Sequence, residues 1–332
     1  MSPRDARGRV FGGMKPLLLA VGLLSTPTLA AGETPLKRVA CTMEGMLEDV
    51  RAGLKSGSPA YQRYVRIRLK EAAIAMSADS LRAAVSQERD PAVLEVVGAA
   101  LATKASNSEK PELVQALLSR ASQDADPRLR AAALKALKGT PSVEFMAKNG
   151  NVITYEQLAR DSAPEVRQAV VDNLVEENTK VYFGHDKTVS ETAVSVAAAS
   201  NDPAMAAKLL SEVSMEQVGP EAVAKLTQQL RSEDAGLRTA AARALGGVPG
   251  TAAAGARSSL MELFRGDKDA SVRKAALEGL ARLGQSSARP LLESLRGVDP
   301  AMDPEIDAWL SAMKLNLQEW HLLLREKQRI RK

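Results

Sequence analysis

The stretch Asp126-Pro127-Arg128-Leu129-Arg130-Ala131-Ala132-Ala133-Leu134-Lys135-Ala136-Leu137-Lys138-Gly139 reads as one helix with its own start and stop signals. Asp126 suits an N-cap, where its carboxylate accepts a hydrogen bond from an orphan backbone N–H. Pro127 suits the first helical position, which needs no N–H. The opening phrase returns as Ala163-Pro164-Glu165-Val166-Arg167, Asp234-Ala235-Gly236-Leu237-Arg238 and Asp269-Ala270-Ser271-Val272-Arg273. Degenerate copies stand at Asp90-Pro91-Ala92-Val93 and Asp202-Pro203-Ala204-Met205, so the steps from Asp90 onward are 36, 37, 39, 32 and 35 residues. Recurrence at that period specifies an array of helical pairs.

The positions after the phrase repeat as well. Six residues on from the cap stand Ala132, Ala169, Ala240 and Ala275; eleven on stand Leu101, Leu137, Leu174, Leu245 and Leu280. Small residues let neighbouring helices approach, and the leucines fill the space between them. Gly139, Gly246 and Gly284 suit helix C-termini. Apolar segments around Leu113–Leu118, Leu260–Phe264 and Leu291–Leu295 follow and are expected to complete each pair.

Helix pairs of this length, with Asp-Pro-x-Val-Arg followed by Ala-Ala-x-x-Ala-Leu, resemble HEAT repeats, in particular the bacterial subtype first named from phycobilisome lyases. The resemblance implies an all-α solenoid of about seven or eight stacked antiparallel pairs over residues 58–331. It also implies a structural ion ladder made of the phrase residues Asp126, Arg130, Arg167, Asp234, Arg238, Asp269 and Arg273. The arginines lie one turn into their helices, where the macrodipole disfavours a cation, so they are expected to pair with the acidic cap of their own or a neighbouring repeat.

Composition agrees. Aromatics make up 3% of 332 residues against an apolar total of 45%, so alanine, leucine and valine carry the packing. Residues 1–30 read differently. Arg4, Arg7, Arg9 and Lys15 precede the apolar run 17–24, and Thr28-Leu29-Ala30 offers a small-residue cleavage site. This is the pattern of a signal peptide cut near Ala30 or Ala31, with Met14 an alternative start, and it places the protein in the periplasm or outside the cell. Residues 31–57 read as a linker and a capping helix near 43–54. Cys41 is the only cysteine, so no internal disulfide can form.

The predicted pI of 9.2 does not indicate a nucleic-acid partner. The first thirty residues contribute +3 and the tail 325–332 contributes +4 of the total +5, which leaves −2 for the body. A nucleic-acid solenoid needs a basic stripe over many repeats. The tail complements a helix C-terminus, with weak contact to an anionic membrane surface as the alternative. His185 and His321 are far apart, and no zinc-protease, Cys-x-x-Cys, phosphate-loop or Gly-x-Ser-x-Gly motif occurs. Neither enzyme activity, nor a metal, nor a cofactor is therefore expected. The di-iron His-Glu pairs of HEAT-like hydroxylases are missing, and no pocket motif of the lyase relatives maps here.

Three interruptions of the repeat are the candidate functional regions. The first is the loop at 148–155. The second, at 178–186, holds Tyr182, Phe183 and His185, and aromatic residues in a lengthened solenoid loop suit a binding face. The third is a single long helix from about 303, whose stripe includes Ile306, Trp309, Met313, Leu317, Trp320 and Leu324. Capping the array is its expected role, with Trp309 and Trp320 as candidate protein contacts. Together these features point to a non-catalytic exported scaffold that binds unidentified proteins through a concave face. Candidate lining residues on that face are Glu112, Gln115, Gln228, Glu262, Arg265, Glu293 and Arg296. A lyase-like cofactor-handling protein and an envelope-attached structural protein are the alternatives.

Overall fold

A computed structural model describes residues 43–150, 153–179 and 187–330. The chain divides into a unit Met1–Ala40, which lies outside the described residues, and a unit Cys41–Lys332. The expected signal peptide, Cys41, Tyr182, Phe183 and His185 also fall outside them. The described residues are helical throughout, without a strand.

Eight helical pairs follow one another. They are α1 (Met43–Leu54) with α2 (Pro59–Ala75), α3 (Ala78–Gln87) with α4 (Pro91–Ser108), and α5 (Gln115–Gln123) with α6 (Pro127–Lys135). The interrupted α7 (Ser142–Lys148) and α8 (Tyr155–Leu158) precede α9 (Pro164–Thr179). Then come α10 (Lys187–Ala199) with α11 (Pro203–Glu212), α12 (Pro220–Gln229) with α13 (Ala235–Leu245), and α14 (Ala253–Gly266) with α15 (Ala270–Gly284). The last pair is α16 (Arg289–Ser294) with α17 (Asp303–Met313), and α18 (Trp320–Ile330) ends the described chain.

Two layers result. In one, α2, α4, α6, α9, α11, α13 and α15 stack on each other in order and α17 follows; in the other stand α3, α5, α10, α12 and α14. The phrase begins the second helix of each pair rather than the first. Thus α5 packs on α6 and α14 on α15, while α13 touches α14 only lightly. The reason is the turn. A helix ends, two residues pass (four between α12 and α13), and an Asp cap restarts the chain, which closes a tight hairpin at the phrase itself. Asp90, Asp126, Asp202, Asp234 and Asp269 all accept backbone N–H groups of the first helical turn.

The spaced alanines and leucines form the core between the layers. Ala132, Ala169, Ala240, Ala275, Leu101, Leu137, Leu174, Leu245 and Leu280 are all buried. Each buried leucine contributes on the order of 2 kcal/mol. Of the three glycines read as helix stops, only Gly139 has positive φ, at 80°. Gly246 keeps helical angles at φ −65°. It is small for another reason: a Cβ there would lie 2.6 Å from the Cα of Gly279, where α13 meets α15.

The expected single C-terminal helix is two helices. Between α17 and α18 the chain reverses, with Asn316 at φ 51°. The tryptophans then face each other, with ring centroids 5.3 Å apart and planes 17° from parallel. One continuous helix could not bring residues eleven apart into such a stack, because about 1.5 Å of rise separates successive residues.

Candidate protein-binding surface

The four phrase arginines form rungs between successive repeats. Arg130 makes two hydrogen bonds to Asp161, through Nε and an η nitrogen, each 2.8 Å. Arg238 does the same to Asp267 at 2.7 and 3.1 Å. Arg273 reaches Asp299 at 2.7 Å and Arg167 reaches Asp202 at 3.1 Å. Each also donates to carbonyls of its own turn, as Arg130 does to Asp124 and Ala125 and Arg238 does to Ser232 and Glu233.

The carboxylate side differs from expectation. Asp126, Asp234 and Asp269 cap their own helices. In the two bidentate rungs the partner is an acid two residues ahead of the next cap, Asp161 or Asp267, which also accepts the cap's N–H at 2.8 Å. That position places the carboxylate between the cap N–H and the arriving guanidinium. Asp202 is itself a cap, so Arg167 meets it with one bond and its Nε stays without a partner.

Burial raises the pKa values of Asp161 and Asp267, but hydrogen bonds from their arginines and from backbone N–H groups hold them below the usual carboxylate range. For Asp202 the Met205 N–H lowers the pKa most, ahead of the contribution of Arg167.

At two junctions where the phrase arginine is missing, a neighbour supplies one. At the α2/α4 junction Arg51 of α1 clamps Glu88 through two bonds of 3.1 and 2.8 Å. At α4/α6, Arg120 pairs with Asp124 and donates at 2.6 Å to the carbonyls of Val85 and Glu88. These contacts hold the scaffold; they present little to a partner.

The tryptophans are also committed to the fold. Trp309 is fully buried, so it cannot contact another protein. Trp320 covers it, and Arg282 lies 5.8 Å over the Trp320 ring. Lys327 is buried with Glu305 as its ion-pair partner and sits 4.9 Å over Trp309. The hairpin of α17 and α18 therefore seals itself. In the 148–155 interruption, Thr154 and Gln157 make a capping box that restarts the chain as α8. Beneath it Tyr155 shares its hydroxyl with Ser142 at 2.6 Å and with Asn173 at 3.2 Å, all three buried. Among the proposed face residues, Glu262 lines a cavity of about 300 Å³ between α12 and α14.

The surface that does face outward lies on α2. Val65, Leu69 and Ala73 bury one side of this helix. Tyr61, Tyr64, Ile67 and Ile74 form a second apolar set that remains exposed, with Ile74 at 61% and Tyr64 at 57%. Tyr61 and Tyr64 stack on one another with centroids 6.2 Å apart. Beside them runs a groove of about 530 Å³, lined by Ile74 and Lys70 of α2, by Val96, Ala99, Ala100, Thr103 and Lys104 of α4, and by Lys135 of α6. Small residues on α4 make its floor, and cations line its sides. Arg63, Arg66 and Lys70 of α2 are exposed, as is Lys135, against Glu71 and Glu95. A helix with two apolar faces is visible in the residue pattern, since 64, 67 and 74 fall out of register with 65, 69 and 73. The second face is masked in the sequence because Arg63, Arg66 and Arg68 interleave with its apolar residues.

No helix among the described residues is long and apolar enough to cross a membrane. Residues 223–308 match the family model of HEAT repeats. Two crystal structures of engineered proteins are similar over much of the chain. One has 18% identity, covering 86% of this chain and 97% of its own, with a TM-score of 0.34. The other has 21% identity, covering 71% and 98%, with a TM-score of 0.23. No curated protein matches the sequence. The chain is an all-α array of stacked helical pairs, of which residues 223–308 match HEAT repeats.

Proposed function

We propose that this HEAT-like protein is a non-catalytic scaffold that binds other proteins through the outer face of α2 and the groove beside α4. The observation that carries the reading is the exposed set Tyr61, Tyr64, Ile67 and Ile74 next to a cation-lined groove. Large apolar side chains exposed together on one helix mark an interaction site rather than a scattered surface. The lining cations Lys70, Lys104 and Lys135 outnumber the one lining acid, Glu95. The fitting occupant is an acidic amphipathic segment of a partner. Its apolar side chains lie over Val96, Ala99 and Ala100, and its carboxylates meet the lysines. A stacked array offers that face already ordered, which lowers the cost of binding. Export, proposed from residues 1–30 alone, directs the search for the partner to the cell envelope.

The test is affinity capture from envelope extracts with the wild-type chain, with Ile67→Glu/Ile74→Glu, and with Lys70→Glu/Lys104→Glu. Partners held by the wild type and lost by both variants, with helicity and melting temperature unchanged, support the reading. Equal recovery by all three chains sinks it.

A further inference from the structure

Seven junctions join successive helices of the phrase-bearing layer, from α2/α4 to α15/α17. Six of them contain an arginine rung, through Arg51, Arg120, Arg130, Arg167, Arg238 and Arg273. The α11/α13 junction has none among the described residues. Both halves of the rung are replaced there: Ala206 stands where Arg130, Arg167, Arg238 and Arg273 stand in their repeats, and Ser232 stands where Asp161 and Asp267 stand. The helices still pack tightly, and Ala206 is fully buried.

A cavity of about 750 Å³ opens at this junction, lined by Ser200, Asn201, Pro203, Arg231, Ser232 and Glu233 among others. The acceptors match those of a rung. In three filled repeats, those of Arg130, Arg167 and Arg238, the guanidinium takes carbonyls five and six residues before the arginine, such as Ser232 and Glu233 for Arg238. The corresponding carbonyls here belong to Ser200 and Asn201, which accept no hydrogen bond from a described residue. Glu233 supplies a carboxylate at the rim and forms no ion pair with a described residue. Arg231 lines the same cavity, is exposed, and likewise has no partner among the described residues.

We propose that the α11/α13 junction receives a guanidinium group, presented by an arginine side chain of a bound polypeptide. The rungs of Arg130, Arg167 and Arg238 are the template: a planar cation between two carbonyls of one turn and an acid of the next repeat. The cavity exceeds a guanidinium in volume and so leaves room for the backbone that carries it. The idea rests on the reading of the chain as a protein scaffold, but the site is separate from the α2/α4 groove.

Isotope-labelled full-length chain titrated with acetyl-Gly-Arg-Gly-amide tests it by amide chemical shifts. The same peptide with citrulline or lysine in place of arginine, and free L-arginine, are the comparison probes. Saturable shifts centred on residues 200–202 and 231–233 are expected for the arginine peptide. Citrulline should bind about tenfold more weakly or worse, because the charge-assisted bonds are lost. Ala206→Arg/Ser232→Asp should fill the junction internally, abolish the shifts and raise the melting temperature. Should that variant not fold, Glu233→Gln is expected to weaken binding about tenfold, and Arg231→Ala to preserve or tighten it. Ile67→Glu/Ile74→Glu must leave these shifts intact, so failure of the groove and failure of this site are told apart. The proposal is overturned by absence of saturable shifts, by equal binding of the citrulline or lysine peptide, or by unchanged binding in both the filled variant and Glu233→Gln. It is also overturned if L-arginine binds as tightly as the peptide, or if binding emerges only after removal of Arg231, which would mean that the chain fills its own junction.

Discussion

Arg238 and Arg167 occupy equivalent positions and make different rungs, and the difference sets what each contributes. The Arg238–Asp267 pair is 7% exposed on both sides and bidentate. Removing the arginine leaves a buried carboxylate without its cation, so Arg238→Ala should cost about 3 kcal/mol in urea unfolding. Arg167 and Asp202 are 21% and 33% exposed and share one bond, so Arg167→Ala should cost about 1 kcal/mol. The same carboxylates make stability depend on pH. Asp161, Asp267 and Glu88 have folded pKa values below their unfolded ones: burial raises each, and the arginine and backbone hydrogen bonds more than offset it. Their contribution is therefore complete above the unfolded carboxylate pKa near about 4, and is lost as pH falls through the depressed folded values. Urea midpoints should be level from pH 7 to about 5 and drop below about 4. Asp161→Asn/Asp267→Asn should start lower at pH 7 and show a shallower drop. Retention of the wild-type slope would locate the acid sensitivity elsewhere.

At the scale of the helix, two contacts decide how the array ends and how closely it packs. A methyl group on Gly246 would meet backbone rather than a movable side chain, 2.6 Å from Gly279 Cα and 3.1 Å from its carbonyl oxygen. Gly246→Ala should thus lower stability by about 2 kcal/mol although alanine is the better helix former. Urea unfolding checks the sign. The hairpin of α17 and α18 holds both tryptophans of the chain, so intrinsic fluorescence reports its docking. Lys327→Ala removes the buried partner of Glu305 and the cation above Trp309. It should shift the emission to the red and lower the temperature at which fluorescence changes. An unchanged spectrum and transition would show that the Trp–Trp stack alone keeps α18 in place.

Across the whole molecule, the repeat was readable because its signals are local. A cap, a proline and a small residue at fixed depth act within one turn, and their recurrence gave the helices and the buried alanines and leucines. The arginine rung was readable as a type of interaction but not in its partner, since Asp161 and Asp267 lie in the next repeat, two residues from the expected cap. The break at Asn316 escaped the stripe from Ile306 to Leu324. Apolar spacing of three or four is satisfied equally by one helix and by two facing helices. Pairing with Trp320 placed Trp309 in the core, while Trp320 itself stays partly exposed. Conversely, α2 looked regular in sequence and became the exposed candidate face only when Val65, Leu69 and Ala73 were seen to use up its buried side.

The proposed protein binding depends on that face. Hydrogen–deuterium exchange of the full chain, alone and saturated with a partner recovered by the wild type, tests it most directly. Slowed exchange confined to residues 59–75 and 91–108, absent in Ile67→Glu/Ile74→Glu, is the expected result. Bound partner with unchanged exchange there, and protection elsewhere on the array, would contradict it.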